Sequence, residues 1–329
     1  MKSLVTGGGG FLGQYIVEQL LERGEEVQSI SRNRYPALDD LGVQQFEGDI
    51  RDRQIVDQAC AGVDQVFHVA AIAGIWGPWS HFHGINTEGT RNIIDSCLSQ
   101  GVGKLIYCSS PSVVFDADDQ EGIDESVAYP TNWLCHYPHT KALGEQAVLE
   151  ANSDKLMTCA LRPHLIWGPR DQHLIPRLID RARSGKLRIV GDGSNLVDNV
   201  YVENAASAHL QAADALGSGS PVCGSVYFIS QGEPVNCWDW INEILERVGE
   251  KRVEKKISYR LAWGVGRIFE WIYGTFGWKE EPRMTRFLAS QLATSHYYSI
   301  DRAKQDFGYE PKIGHEEGMK RLIASMKPD

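Results

Sequence analysis

Residues 6–13 read TGGGGFLG and decide the fold, because they join a short apolar strand to an amphipathic helix. Gly7, Gly10 and Gly13 have the GxxGxxG spacing of a dinucleotide-binding turn. Gly7 allows the tight turn, Gly10 lets a pyrophosphate approach the backbone, and Gly13 lets the helix pack close to the sheet. Free N–H groups at the start of the helix would then bind the phosphates. A glycine-rich turn without a ligand is the alternative, but the strand–turn–helix context favours dinucleotide binding.

Strands and helices alternate along the first half of the chain. The predicted strands are residues 3–6, 26–31, 43–46, 65–69, 104–109 and 157–161, and the helices between them are residues 11–23, 51–61, 86–100 and 137–151. This order predicts an α/β fold, a doubly wound parallel-sheet Rossmann fold. After about residue 165 the alternation loosens, and residues 237–249, 260–276 and 283–293 are predicted helices. We therefore expect residues 1–165 to form the dinucleotide-binding core, joined by some later segments, and residues 166–329 to form mainly a smaller, mostly helical C-terminal substrate cap.

Composition excludes several classes of protein. The chain has 329 residues, of which 42 % are apolar and 23 % charged, as in ordinary globular proteins. The net charge of −10 disfavours binding to nucleic acid and to anionic membrane surfaces. Seven cysteines without a CxxC pair argue against disulfides and a structural zinc site, so no metal is expected. No export signal or membrane-spanning segment is recognisable, and a cytoplasmic location is predicted.

The end of the second predicted strand indicates which cofactor is bound. In an NAD site an acidic residue there binds the ribose 2′-hydroxyl. Ser31 and Arg32 stand at this position instead, and Arg34 follows. A guanidinium pairs well with a 2′-phosphate, so the sequence favours NADP(H), unless both arginines are ordinary surface residues. Asp49 and Ile50, after the third strand, are placed to contact adenine, although Asp49 could merely start a helix.

A YxxxK motif supplies candidate catalytic residues. Tyr137 and Lys141 are four residues apart and share one helix face. Lys141 can lower the pKa of Tyr137 and also reach a bound ribose, which would make Tyr137 a proton donor or acceptor near neutral pH. Ser110 follows a predicted strand and would face the same crevice. A surface Tyr–Lys pair, and a turn-capping role for Ser109 or Ser110, are the alternatives.

These motifs together resemble the extended short-chain dehydrogenase/reductases, over most of the chain. The resemblance includes HVAA at residues 68–71, NTEGTRN at residues 86–92 and LRP at residues 161–163. Residues 162–171, 190–198 and 201–204 resemble sterol-4α-carboxylate 3-dehydrogenases, in the 3β-hydroxysteroid dehydrogenase branch. Residues 34–38 and 133–142 are similar to bacterial 2-alkyl-3-oxoalkanoate reductases of olefin biosynthesis.

The resemblance implies a reaction and the roles of its residues. It implies NADPH-dependent, reversible reduction of the 3-keto group of a hydrophobic 2-alkyl-3-oxoalkanoic acid to the 3-hydroxy acid. Ser110 would polarise the carbonyl, Tyr137 would be the acid/base, Lys141 would tune it, and Asn86 would support the proton relay. Implied cofactor contacts are Gly7, Gly10, Phe11, Leu12, Gly13, Ser31, Arg32, Asp49, Ile50, Ala70, Ala71, Ser109, Tyr137, Lys141, Pro163 and Leu165. The family also implies a homodimer that packs the helices near residues 86–100 and 137–151 against their symmetry mates.

Other functions remain open at this stage. A 3β-hydroxysteroid or sterol-4-carboxylate 3-dehydrogenase is the main alternative, followed by a non-catalytic nucleotide sensor. The chain could also be a scaffold subunit that associates with other enzymes of its pathway.

The candidate substrates share one chemical need. Each reaction interconverts a β-hydroxy acid and a β-keto acid, and each needs a cation near the carboxylate. Arg170 or His164 could supply it, and His136 beside Tyr137 is a further candidate.

Aromatic residues indicate where a hydrophobic substrate would bind. Residues 261–278 are unusually aromatic and could line a tunnel for acyl chains, touch a membrane surface or dock a partner enzyme. An ordinary buried cap helix is the alternative. Trp76 and Trp79, after the fourth strand, are candidates for the same site.

Overall fold

A parallel sheet forms the centre of the computed structural model, which describes residues 1–326. In chain order the strands are β1 (Lys2–Thr6), β2 (Glu26–Ser31), β3 (Gln44–Glu47), β4 (Gln65–His68), β5 (Lys104–Cys108), β6 (Gln120–Ile123), β7 (Met157–Pro163), β8 (Ile166–Trp167), β9 (Ile189–Val190), β10 (Leu196–Val197), β11 (Val200–Tyr201), β12 (Ser225–Ile229), β13 (Val235–Asn236), β14 (Lys256–Ile257) and β15 (His296–Tyr298). The seven-stranded sheet has the order β12-β7-β5-β4-β1-β2-β3, and all of its neighbours pair in parallel. The strand order reverses between β1 and β4, which creates a crevice at their carboxyl ends.

Helices cover both faces of this sheet. They are α1 (Phe11–Glu22), α2 (Pro36–Asp40), α3 (Arg53–Cys60), α4 (Trp79–Phe82), α5 (Thr90–Gln100), α6 (His136–Glu150), α7 (Leu174–Arg183), α8 (Val202–Ala215), α9 (Cys237–Arg247), α10 (Tyr259–Phe276), α11 (Arg286–Ala293), α12 (Asp301–Phe307) and α13 (His315–Ser325). A π-helical turn, His83–Gly89, leads into α5, and a 3₁₀ turn, Pro111–Val114, follows β5. Helices α1 and α8 pack on one face, while α3, α5 and α6 pack on the other.

Successive residues of the central strands point into two different cores, because side chains alternate across a strand. Leu4 joins the core beneath α3 and α5, and its neighbour Val5 joins the core beneath α1 and α8. On β5, Leu105 and Ile106 divide in the same way. Strands buried on both faces explain the continuous apolar runs in the sequence. The predicted doubly wound parallel sheet is confirmed.

The second half of the chain contributes both to the sheet and to a separate core. Strand β12 pairs with β7 at the edge of the main sheet, and α8 packs against α1. A different apolar cluster, centred on Trp167, Trp238 and Trp240, joins α7, α9, α11 and α13. A four-stranded sheet of order β13-β10-β15-β6 combines three strands of this half with β6 from the first half. Within residues 1–326, no helix is both long enough and apolar enough to cross a membrane.

Candidate active site at the carboxyl ends of the strands

A cleft of about 520 Å³ opens where β1, β2, β3, β4, β5 and β7 end. Its lining includes every residue that the sequence resemblance assigned to the cofactor, and also Ser110. Sequence reasoning missed other lining residues, among them Asn33, Tyr35, Asp171, His173 and Leu174. Asp171 precedes α7, and its carboxylate accepts hydrogen bonds from the backbone N–H groups of His173, Leu174 and Ile175 at the start of that helix.

The glycine loop is shaped to admit a phosphate. Gly7 has a φ of +69°, a conformation that glycine adopts without strain. A Cβ at Gly13 would overlap the Gly7 carbonyl, so a side chain there would push α1 away from the loop. Gly10 caps α1 without a side-chain hydrogen bond, which leaves the first N–H groups of the helix available to an anion.

Orphaned polar atoms also point to a ligand in this cleft. The hydroxyl oxygens of Ser31 and Ser109 are buried, and they have no hydrogen-bond partner among residues 1–326. Both residues line the cleft. Buried hydroxyls without partners are costly, so these atoms and the glycine cradle fit a bound dinucleotide.

The loop after β4 is held against the glycine loop by a buried polar network. The Thr6 hydroxyl oxygen accepts hydrogen bonds from the N–H groups of Val69 and Ala70, at 3.1 and 3.0 Å. The His68 ring bonds to Thr6 Oγ1 at 2.8 Å and to Thr90 Oγ1 at 2.9 Å. Burial lowers the pKa of His68 to about 3, so the imidazole is neutral and structural. The HVAA stretch was noted in the sequence, but nothing in its pattern showed this network.

The two arginines after β2 differ in their surroundings. Arg32 is exposed, lines the cleft and makes no ion pair with the described residues. Arg34 lies outside the lining and donates two hydrogen bonds to Asp39, at 2.9 and 2.7 Å. Asp49 lines the cleft, and its hydrogen bonds from Arg51 hold the pKa of its carboxyl below the usual range. Arg32 alone is therefore free to meet a 2′-phosphate.

Tyr137 lies in the first turn of α6 and faces the cleft together with Ser110. Burial raises the pKa of Tyr137 to about 12, and the Ser110 hydroxyl opposes this rise. The sequence argument expected Lys141 to lower the pKa of Tyr137; the net direction in the structure is upward, because burial outweighs the hydrogen bond with Ser110. Ser110 also caps the 3₁₀ turn after β5 by accepting from Ser112 N–H at 3.3 Å.

Lys141 lies one turn further along α6 and is fully buried. Its ammonium donates to the Cys108 carbonyl at 2.6 Å and lies 4.1 Å from the centre of the Tyr107 ring. Burial lowers the pKa of Lys141 to about 8, while Cys108 and Glu145 oppose this shift. Glu145 in turn pairs with Arg162 in a fully buried ion pair, at 2.6 Å.

Asn86 is close to these residues but outside the lining of the cleft. Its side-chain oxygen accepts from Ile72 N–H at 2.8 Å, and its amide donates to the Ile72 carbonyl at 3.1 Å. The amide also reaches Thr140 Oγ1 at 3.2 Å. The helix predicted at residues 86–100 therefore begins as a π turn that fixes the loop after β4 to α6. These hydrogen bonds position the Asn86 side chain between the loop after β4 and α6, and its part in a proton relay stays a prediction.

A second cavity of about 620 Å³ lies beside the start of α6. Trp76 and His136 line it, together with Tyr273 and Trp278 from the aromatic segment. Trp76 donates its indole N–H to the Trp278 carbonyl at 3.0 Å. Cys135 and His136 line this cavity while Tyr137 lines the cleft, so the two spaces flank the same turn.

Helix α10 is not an ordinary buried cap helix. Only Ala262 and Gly266 of its residues are buried, and Trp271 is 69 % exposed. Tyr273 and Gly274 line the second cavity, which supports the tunnel-wall interpretation of this segment.

Three of the predicted substrate residues lie elsewhere. Trp79 is on α4, where it stacks on His83 with ring centres 5.2 Å apart and contacts His136. His164 is buried, and its Nδ1 lies 2.5 Å from an Asp198 carboxylate oxygen. Arg170 binds Glu18 through two hydrogen bonds, at 2.6 and 2.8 Å. None of the three lines either cavity, although Trp79 contacts His136, which lines the second one.

Comparison with other proteins places this geometry in a family. Residues 4–261 match the 3-beta hydroxysteroid dehydrogenase/isomerase family. The chain is 49 % identical to 2-alkyl-3-oxoalkanoate reductase of Stenotrophomonas maltophilia, over 99 % of both chains. It is 45 % identical to the enzyme of that name in Shewanella oneidensis, over 98 % of this chain and 86 % of the relative. It is 37 % identical to the mouse sterol-4-alpha-carboxylate 3-dehydrogenase, decarboxylating, over 98 % of this chain and 90 % of the relative.

Solved structures agree on the fold. The crystal structure of gox2253 superposes with a TM-score of 0.79 at 28 % identity, covering 98 % of this chain and 97 % of that one. MoeE5 in complex with UDP-glucose and NAD superposes with a TM-score of 0.74 at 23 % identity, covering 99 % and 98 %. The chain therefore belongs to the 3-beta hydroxysteroid dehydrogenase/isomerase family, and it is an NAD(P)-dependent oxidoreductase of the short-chain dehydrogenase/reductase type.

Proposed function

We propose that the protein reduces the 3-keto group of hydrophobic 2-alkyl-3-oxoalkanoic acids to the 3-hydroxy acids, with NADPH and in a reversible reaction. The observation that carries this proposal is that Ser110, Tyr137 and Lys141 line one cleft with the glycine loop. The curated relatives at 49 and 45 % identity carry the name 2-alkyl-3-oxoalkanoate reductase, which supports the substrate class.

Different residues of the cleft would bind different parts of the cofactor. The glycine loop and the start of α1 would hold the pyrophosphate, Arg32 the 2′-phosphate, and Lys141 the nicotinamide ribose. When bound, NADPH supplies the hydride that reduces the carbonyl carbon. Arg32 lines the cleft at the end of β2, where no carboxylate stands to bind a ribose diol, and this supports NADPH over NADH.

The protonation state of Tyr137 suits reduction. With a pKa of about 12, its phenol keeps its proton at neutral pH. It can then donate that proton to the carbonyl oxygen as the carbon receives the hydride, which gives the alcohol. Ser110 donates a hydrogen bond to the same oxygen and stabilises the developing negative charge. Lys141 does not supply a proton to Ser110 or Tyr137. It would orient the ribose and stabilise the phenolate of Tyr137 that proton transfer leaves.

Oxidation of sterol-4-carboxylates is the second candidate function. It is supported by the 37 % identity to the mouse enzyme and by the shared conversion between a β-hydroxy acid and a β-keto acid. The same Ser–Tyr–Lys arrangement serves both directions, since the proton donor of reduction is the base of oxidation.

The proposal also covers the location, the pathway and the oligomeric state of the enzyme. We place it in the cytoplasm, in olefin biosynthesis, as a homodimer that packs α5 and α6 against their symmetry mates, with association to other enzymes of the pathway. Residues 166–329 would supply mainly the substrate cap.

A substrate panel tests the proposed function. 2-Alkyl-3-oxo acids are offered with NADPH, and 2-alkyl-3-hydroxy acids, 3β-hydroxysteroids, their 4-carboxylates and flavanonols with NADP⁺. The hydroxy acids matter because 3-oxo acids lose CO₂ spontaneously. Turnover of the alkyl acids with the highest kcat/KM is the expected result; preference for 4-carboxysterols would favour the second candidate.

A further inference from the structure

A β-keto acid carries a carboxylate, and two of the three cations that the sequence offered for it are already occupied. Arg170 pairs with Glu18, and its guanidinium lies 3.8 Å from the centre of the Tyr15 ring. His164 is buried against Asp198. The carboxylate therefore needs a different partner near Tyr137.

The second cavity carries an excess of positive charge in a chain whose net charge is −10. Its formally charged lining residues are Lys279, Arg286 and Glu270. Lys279 is exposed and makes no ion pair with the described residues, and Glu270 balances only Arg286. Burial lowers the pKa of His136, so this histidine adds little charge at neutral pH.

Arg286 is oriented for a further anion. Glu270 accepts hydrogen bonds from Arg286 Nε at 2.5 Å and from the Arg286 backbone N–H at 2.7 Å, so one carboxylate fixes both the chain and the guanidinium. The terminal Nη groups of Arg286 have no hydrogen-bond partner among residues 1–326. A fixed guanidinium whose two terminal Nη groups are free matches the planar fork of a carboxylate.

We infer that the second cavity binds the substrate's carboxylate through Arg286 and Lys279, with Glu270 as the positioning residue for Arg286. This inference rests on the proposed function and names the part of the enzyme that recognises the acid. Trp76, Tyr273 and Trp278 supply apolar walls beside the two cations, where a hydrocarbon chain packs. The carboxyl carbon and the keto carbon of a β-keto acid are only two bonds apart, so this placement requires the cavity to join the cleft beside Tyr137. The lining supports such a junction, because Ala73 and Tyr137 line the cleft while their near neighbours in the chain, Ile75 and His136, line the cavity.

The test compares an acid with its ester. The probes are a 2-alkyl-3-hydroxy acid and its methyl ester, each oxidised with NADP⁺ by the full chain. Lys279→Ala and Lys279→Glu are used because Lys279 is exposed and its loss leaves no buried charge. Arg286→Lys keeps the charge but removes the fork. Lys255→Ala is the matched control, since Lys255 is exposed and lines neither cavity.

The expected result is a fall in the acid-to-ester ratio of kcat/KM. One lost charge-assisted contact should lower that ratio about 10- to 100-fold in Lys279→Ala and in Arg286→Lys, and more in Lys279→Glu. Lys255→Ala should leave the ratio unchanged. A wild-type preference for the acid that survives all three substitutions would overturn the inference and leave the proposed function standing. A wild type that oxidises neither probe would overturn both.

Discussion

Lys141 donates a 2.6 Å hydrogen bond to the carbonyl oxygen of Cys108, which joins the first turns of α6 to the carboxyl end of β5. Both residues line the cleft, and Lys141 is fully buried. The bond explains how a helix residue comes to lie beside the last residues of a strand. Burying this charged ammonium also costs free energy, since burial lowers its pKa to about 8.

Lys141→Met should therefore stabilise the protein while removing activity. The pKa of Lys141 is about 8 in the folded protein, against 10.5 for an ordinary lysine. Between these two pKa values the unfolded chain binds more protons than the folded protein, so the free energy of unfolding rises with pH. The full free-energy cost of keeping the Lys141 ammonium buried is present below pH 8. Methionine removes that cost, and the gain at pH 7 should be about 1–3 kcal/mol. Urea unfolding at pH 7 and pH 10 measures it; the gain should shrink at the higher pH. A variant that is less stable at pH 7 would contradict this account.

Tyr137→Phe should abolish hydride transfer without preventing cofactor binding. The ring and Lys141 remain, but no group is left to donate the proton. The loss of kcat should be of the order of 10²- to 10⁴-fold, the usual contribution of general acid catalysis. Steady-state kinetics measures the loss, and a fluorescence titration with NADPH checks that the cofactor dissociation constant stays within about twofold, since the pyrophosphate contacts are intact. Turnover near that of the wild type would refute the mechanism.

Most of the cleft was predictable because its residues stand at fixed offsets along strands and turns. Gly13 must be small, and a serine at the end of a parallel strand must face the crevice, so local sequence was sufficient for Gly13 and Ser110. The raised pKa of Tyr137 was not predictable from the sequence, because burial depends on tertiary packing that spacing does not record. Arg170 was misplaced for a similar reason: its partner Glu18 is far away in sequence.

Leu98→Arg should weaken the proposed homodimer. Leu98 lies on α5 and is 45 % exposed, although it is a large apolar residue. In a two-fold interface each substitution occurs twice, so two guanidinium groups would meet where two leucines packed. We expect at least a tenfold rise in the dimer dissociation constant, corresponding to about 1.4 kcal/mol. Light scattering across a concentration series measures it. Leu41→Arg is the control, because Leu41 is also exposed, at 43 %, but lies at the end of α2. A wild type that is monomeric at micromolar concentration would rule out the dimer itself.

Arg32→Asp should shift cofactor preference from NADPH toward NADH, and Arg34→Asp should not. The two arginines are two residues apart, but only Arg32 lines the cleft, while Arg34 is held by Asp39. Arg32 offers a 2′-phosphate a charge-assisted contact worth roughly 1.5–3 kcal/mol, about 10- to 100-fold in affinity. Aspartate removes this attraction, repels the phosphate and can accept hydrogen bonds from a ribose diol. The measurement is kcat/KM for NADPH and NADH in the wild type and both variants. A wild type that prefers NADH would contradict the NADPH assignment. So would an Arg32→Asp variant whose NADPH-to-NADH ratio of kcat/KM equals that of Arg34→Asp, since Arg32 would then be an ordinary surface residue.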